Sequence, residues 1–281
     1  MMGFFTDLFH YNYLLNALLV SVFAGLTCGI IGTYVVCRRT VFLAGGITHA
    51  SFGGLGVALY LGVNPIIGAL ISAVLASLGI EWAGNRGHIR EDSAIGIVWS
   101  IGMAVGALFM SLRPGYAGGL SAVLFGSIVT VTTADVWASV VLAALVLAGT
   151  LLWLRAVIYV AFDREFSRSR GIHTKWLSYL MAALIAVTIV LSIRIMGIVL
   201  LMSLITMPVV IVNQISASYR TIVWGAPLIA VLANIAGLVV SYNYEVPSGV
   251  TIIFILTMVL ICVKILSLHN SKRDESDEKH S

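Results

Sequence analysis

Few side chains in this sequence can do chemistry, and they stand in unlike settings. His49 lies in the apolar stretch Gly45-Gly46-Ile47-Thr48-His49-Ala50, whereas His10, His88, His173, His269 and His280 fall in gaps between apolar runs or in the tail. An ionisable group inside an apolar run is a functional candidate, and neutral imidazole is a good ligand for borderline metals. One histidine cannot hold a metal alone, and a buried imidazole satisfied by a hydroxyl or carbonyl is the plain packing alternative. Met202, Ser203 and Met207 lie beside Pro208, whose ring frees a backbone carbonyl one turn back. Thioethers suit soft metals and equally fill apolar cores. Glu81, Asp92, Asp135 and Glu245 border apolar runs. Each reads as a helix cap or a loop charge, and Glu245 is also placed to meet an arriving cation.

The densest charge is in the stretch Phe162-Asp163-Arg164-Glu165-Phe166-Ser167-Arg168-Ser169-Arg170-Gly171. Asp163 can cap a short helix, Glu165 suits its first turn, Arg168 and Arg170 its end, and Gly171 its stop. Such a helix either lies on lipid headgroups or docks a partner. Other chemistry has no residues to carry it. The chain holds no GxxxxGK[ST] phosphate loop, no HExxH and no GxSxG, which argues against ATP binding of that kind, a zincin and a serine hydrolase. Cys28, Cys37 and Cys262 form no CxxC pair, so neither a disulfide framework nor a structural zinc site is expected.

These residues must be positioned by apolar elements. Of 281 residues, 60% are hydrophobic and 10% charged, against roughly 45–50% and about 25% in soluble domains. That excludes a water-soluble enzyme, a disordered chain and a collagen-like fibre. Nine apolar segments can be read, at 14–37, 47–63, 66–83, 93–112, 132–154, 177–193, 196–213, 222–240 and 249–266. Hydrocarbon leaves no partner for a free backbone amide, so each must be a helix. The shorter stretch 118–131 suits an interfacial or re-entrant helix. No basic residue precedes Arg38, so no cleavable leader is expected and the first run stays as a membrane helix. The net charge of +4 is spread over the gaps between runs, not gathered in a patch, which argues against a nucleic-acid partner.

Lysine and arginine bias sets the orientation. With 155–176 in the cytoplasm, alternation places 14 of the 16 basic residues inside and leaves Arg113 and Arg194 outside. The carboxyl terminus is then cytoplasmic. Gly25-x-x-x-Gly29 and Gly102-x-x-x-Gly106 have the spacing of close helix contacts. Gly53, Gly54 and Gly56 make the second segment thin, for tight packing or for movement along a path. The expected fold is an all-α polytopic integral membrane protein of about eight to nine transmembrane helices with one short cytoplasmic helix. Residues 1–269 form a single domain and 270–281 a disordered polar tail.

Several motifs, in order, resemble the membrane subunit of bacterial ABC importers for zinc, manganese and related divalent metals. Arg38-Arg39 leads to the His49 stretch; Glu91-Asp92-Ser93-Ala94-Ile95-Gly96-Ile97, Leu124 to Val131, the Phe162/Asp163/Glu165/Gly171 segment, Gly197 to Pro208, and Pro247-Ser248-Gly249 follow. The resemblance implies a permease without its own ATP site, in the inner (plasma) membrane. Two copies would form the pathway, a cytoplasmic ATP-binding-cassette subunit would grip Phe162, Asp163, Glu165 and Gly171, and an extracytoplasmic metal-binding protein would deliver. The divalent ion is substrate; no permanent cofactor is implied. Membrane lipids surround it, and Gly53, Gly54, Gly56 and Pro208 are candidate hinge or packing points. In the family an acidic residue four positions before the histidine joins it in contacting the ion. Here that position is Gly45, which favours zinc over manganese, with iron a further candidate. The alternative is a secondary transporter driven by an ion gradient, which would need a buried carboxylate or lysine in mid-span.

Overall fold

The computed structural model describes residues 6–8, 10–86, 89–112 and 128–278. Its helices are α1 (Asn12–Cys37), α2 (Val41–Leu61), α3 (Pro65–Arg86), α4 (Glu91–Ser111), α5 (Thr133–Phe162), α6 (Arg164–Ser169), α7 (Thr174–Ile215), α8 (Tyr219–Tyr244) and α9 (Ser248–Glu278). All but α6 are long and apolar enough to cross a membrane, whose hydrocarbon core is about 30 Å thick. Of the expected 118–131 helix, residues 118–127 lie outside the described residues, and Ile128–Thr130 is a 3₁₀ turn packed on α1. Helix α9 runs on through polar residues to Glu278, where the sequence suggests a disordered tail from Asn270.

The expected segments 177–193 and 196–213 are joined in α7, which folds back on itself. Gly197 adopts φ 76° and ψ 171°, a conformation essentially restricted to glycine. Ile31 of α1 lines a cavity with Met181 and Leu184, while Gly32 beside it abuts the carbonyl of Ile205. In a straight helix Met181 and Ile205 would stand about 36 Å apart. Leu177, near the start of α7, shares that cavity with Tyr219 and Val223, just past its end. Residues 174–196 and 198–215 are therefore two antiparallel arms, so the eight long apolar helices among the described residues supply nine apolar segments. Pro208 is buried in the second arm.

The arms place the loops. Phe162, before α6, packs edge-on against Tyr219 at 5.9 Å, so the start of α7, its end and α6 share one face. Arg38 lies on that face, because Tyr34 and Tyr219 line the same cavity. Its guanidinium bonds Glu81 Oε2 at 3.0 Å and Glu91 Oε1 at 2.9 Å, closing the ends of α1, α3 and α4 together. Glu81 is thus a buried ion-pair partner within α3, at 4% exposure, where the sequence suggests a cap or loop charge. Burial works against the Arg38 charge; Tyr34, Glu81 and Glu91 outweigh it and raise the pKa. On the opposite face, Arg194 at the α7 hairpin pairs with Asp135 at 3.2 Å. Asp135 also closes a capping box with Thr132 at the start of α5.

Glycine sets the helix spacing. Helix α1 packs on α8 through Gly25 against Val231 and Gly29 against Pro227, and α2 packs on α4 and α3. A Cβ added at Gly53 or Gly56 would stand 2.8 Å from the carbonyl oxygen of Gly102 or Gly106, and Gly54 abuts Gly68 and Ser72 of α3. Without side chains there, the backbones of α2 and α4 touch.

Candidate functional site

The α2–α4 seam carries His49 to a half-exposed position midway along its helix. Helix periodicity turns its neighbour Thr48 inward, where the hydroxyl donates to the Ala44 carbonyl. His49 instead faces α4. Its Nδ1 stands 2.9 Å from the Met103 sulfur, and its ring stacks on Trp99 with centroids 4.2 Å apart. Trp99 and Met103 are one turn apart on α4, so a single helix face presents both.

The same contact accounts for Gly45. A Cβ at position 45 would lie 2.6 Å from Cζ3 of Trp99. The indole fills the volume in which a side chain one turn before His49 would sit. The seam therefore offers imidazole nitrogen and thioether sulfur where the resemblance implies imidazole and carboxylate. A tetrahedral ion bound by both would part them to about 3.5 Å, given Zn–N near 2.0 Å and Zn–S near 2.3 Å. Among the described residues no group of three or more His, Cys, Asp or Glu could hold a metal. Two donors suit an ion in passage better than a closed structural site, which takes four.

Met202 and Met207, in the second arm of α7, pack against the apolar core, and the Ser203 hydroxyl donates to the Val199 carbonyl one turn back. The sulfur beside His49 belongs to Met103, a residue the sequence gives no reason to single out. Its only signal is the spacing of Trp99 and Met103, and recognising it requires knowing which face of α4 meets α2.

The second candidate region is α6. Asp163 accepts from the amides of Glu165 and Phe166, both at 2.9 Å. The Ser167 hydroxyl donates to the Asp163 carbonyl, and Gly171 ends the turn at φ 76°. Phe166 is held between Tyr159 (5.5 Å) and the Arg170 guanidinium (5.7 Å), and Arg168 donates to Thr174. Phe162, Glu165 and Phe166 remain exposed. The corner from the end of α5 through the short, pinned α6 thus presents two aromatic rings and a carboxylate to solvent.

Comparisons with known proteins give a consistent picture. The ABC 3 transport family matches residues 10–267. A probable metal transport system membrane protein of Chlamydia pneumoniae is 32% identical over 267 residues, covering 92% of this chain and 91% of that one. The manganese transport system membrane protein MntC of Halalkalibacterium halodurans is 29% identical over 252 residues, covering 90% and 86%. In fold, the chain is similar to PsaBC from Streptococcus pneumoniae, solved in complex with a Fab, at a TM-score of 0.82 and 22% identity, over 94% of this chain and 95% of that one.

Proposed function

The chain belongs to the ABC 3 transport family, and on that premise we propose that it is the permease subunit of an ATP-driven importer of divalent transition-metal ions. The observation that carries this reading is the half-exposed His49 within a membrane-crossing helix, its Nδ1 2.9 Å from the Met103 sulfur. An ion shedding water on its way through an apolar bundle needs replacement donors, and nitrogen and sulfur supply them. Imidazole and thioether suit zinc-like ions, whereas manganese prefers carboxylate and other oxygen ligands. The cargo we favour is therefore zinc, although relatives carry manganese in their names.

The face bearing α6 is cytoplasmic in this reading, because Arg38, Arg90, Arg168, Arg170, Lys175 and Arg220 cluster there and Arg194 stands opposite. The C-terminal end of α9 is on that same side. A cytoplasmic ATP-binding-cassette subunit grips α6 through Phe162, Glu165 and Phe166, with Asp163 and Gly171 shaping the helix. A second copy of the chain completes the pathway, and an extracytoplasmic metal-binding protein delivers ions to the opposite face. Access alternates as the thin α2, with Gly53, Gly54 and Gly56, slides against its neighbours, and Pro208 loosens the second arm of α7. The two carboxylates that could couple a gradient within the bundle, Glu81 and Asp135, are each engaged by an arginine, which favours ATP as the drive.

The test is metal accumulation in cells expressing this chain with its ATPase and binding protein, read by elemental analysis. Zinc should accumulate, and accumulation should vanish when the ATPase is catalytically dead. Uptake that survives the dead ATPase overturns the ATP-driven reading in favour of a secondary transporter. Manganese accumulation in place of zinc keeps the importer and overturns the cargo.

A further inference from the structure

Beside α6, two cavities meet at a break in α5. One, of about 320 Å³, is apolar and lies among Ile31 and Tyr34 of α1, Val146 of α5, Met181 of α7 and Val223 of α8. The other, of about 510 Å³, is lined by residues 151–156 of α5 and by Arg220 and Trp224 of α8. They share Leu152, Trp153 and Leu154. Trp153 departs from helical geometry, with φ −119° and ψ 15°, so α5 is kinked where the two spaces join. Arg155 and Arg220 both line the outer cavity. Among the described residues neither forms an ion pair; the arginines paired there are Arg38 and Arg194.

The depth of this pair of cavities is marked by aromatics. Trp153, Trp176 and Trp224 are each 43–58% exposed, and Trp153 meets Trp176 edge-on at 6.1 Å. Indole rings that are apolar on one side and hydrogen-bonding on the other collect at the headgroup level of a bilayer. Two uncompensated guanidinium groups at that level, beside an opening into hydrocarbon-like space, suit a ligand with a phosphate at one end and an alkyl chain at the other. Guanidinium recognises phosphate through paired hydrogen bonds, and basic pockets between membrane helices hold anionic lipid headgroups.

We propose that Arg155 and Arg220 bind the headgroup of an anionic phospholipid from the leaflet on the α6 side, with one acyl chain entering the apolar cavity through the α5 kink. The lipid bridges α5 and α8 directly behind the Phe162–Tyr219 contact, and so braces the base on which α6 is mounted. This assignment rests on the cavities and charges alone and holds whatever the cargo.

The full-length chain, purified in detergent and stripped of lipid, is titrated with phosphatidylglycerol, phosphatidylcholine or inorganic phosphate. Retained lipid is counted by native mass spectrometry and the unfolding midpoint is followed. Phosphatidylglycerol should bind and raise the midpoint; phosphatidylcholine and phosphate should do neither to a comparable extent. Arg155→Gln with Arg220→Gln should weaken phosphatidylglycerol about 30-fold, two arginines at about 1 kcal/mol each. Lysine at both positions should restore the part of the affinity that depends on charge alone, leaving binding between the glutamine variant and the native chain, which separates lost charge from misfolding. Val146→Phe, which narrows the apolar cavity and leaves both charges, should weaken the lipid without creating affinity for phosphate. Equal binding of phosphatidylcholine, equal protection by inorganic phosphate, or undiminished phosphatidylglycerol binding in the glutamine variant would each overturn the proposal.

Discussion

The His49 seam and the α6 surface carry the two ends of the proposed transport cycle, and they are assembled in opposite ways. In α6 the contacts that shape the helix lie within about a dozen residues: the Asp163 cap, the Ser167 hydroxyl on the Asp163 carbonyl, the glycine stop at 171 and the Arg168–Thr174 bond. In the seam the two donors are 54 residues apart in sequence and meet only because glycines on α2 and α4 let two backbones touch. A local element can present an unchanging surface to a partner while the bundle moves. A seam made of small residues can slide, so the donors it aligns can be parted. The division suits a machine in which one end is gripped and the other opens and closes.

The largest effect is expected from breaking the local element. Asp163→Lys with Glu165→Lys removes the N-cap, costing about 1 kcal/mol in a six-residue helix, and reverses the charge shown to the partner. Recovery of the ATPase in co-purification should fall at least tenfold, while membrane insertion of the permease is unchanged, because no crossing helix is touched. Full ATPase recovery would show that α6 lies on lipid and that docking occurs elsewhere.

An intermediate effect is expected at the seam. His49→Ala should lower zinc uptake at limiting metal by about tenfold, the low end of what losing a metal-site group costs, at normal expression. The ring is half-exposed, so its loss opens no sealed cavity. If uptake is unchanged, His49 is merely a packing partner of Trp99, and the contrast between the two regions loses its chemical half.

The same contrast decides what the sequence makes legible. The cap, first-turn acid and stop of α6 can be read directly, because each acts on the backbone next to it. The apolar runs also emerge, including both arms of α7, since hydrocarbon demands a helix wherever the chain crosses. Arg194 between those arms is legible as a charge on the far face; its pairing with Asp135 at 3.2 Å is not. Glu81 reads as a loop charge because its fate depends on Arg38, 43 residues away. Met103 carries no signal of its own, since a methionine in a membrane helix is ordinarily packing. Gly45 is visible as a departure from the family's pattern, but its cause, the indole of Trp99 lying over it, belongs to the register between α2 and α4.

The smallest effect, and the sharpest, concerns which metal the seam prefers. Met103→Leu keeps volume, so its cost in stability should stay below about 1.5 kcal/mol, while it removes the sulfur beside His49. Zinc uptake relative to manganese, measured in competition, should fall a few-fold with total transport largely kept. Gly45→Asp alone should do harm without changing preference, because the added Cβ meets Trp99 at 2.6 Å and the carboxylate has no room beside the imidazole. Combined with Trp99→Ala, the aspartate gains that room and an oxygen donor stands one helical turn from His49. The double variant should then shift the competition toward manganese, which prefers oxygen ligands. If Gly45→Asp shifts preference without help from Trp99→Ala, the indole is not what excludes a carboxylate there. If the double variant keeps the wild-type preference, selectivity lies outside the seam, with the delivering protein as the next place to look.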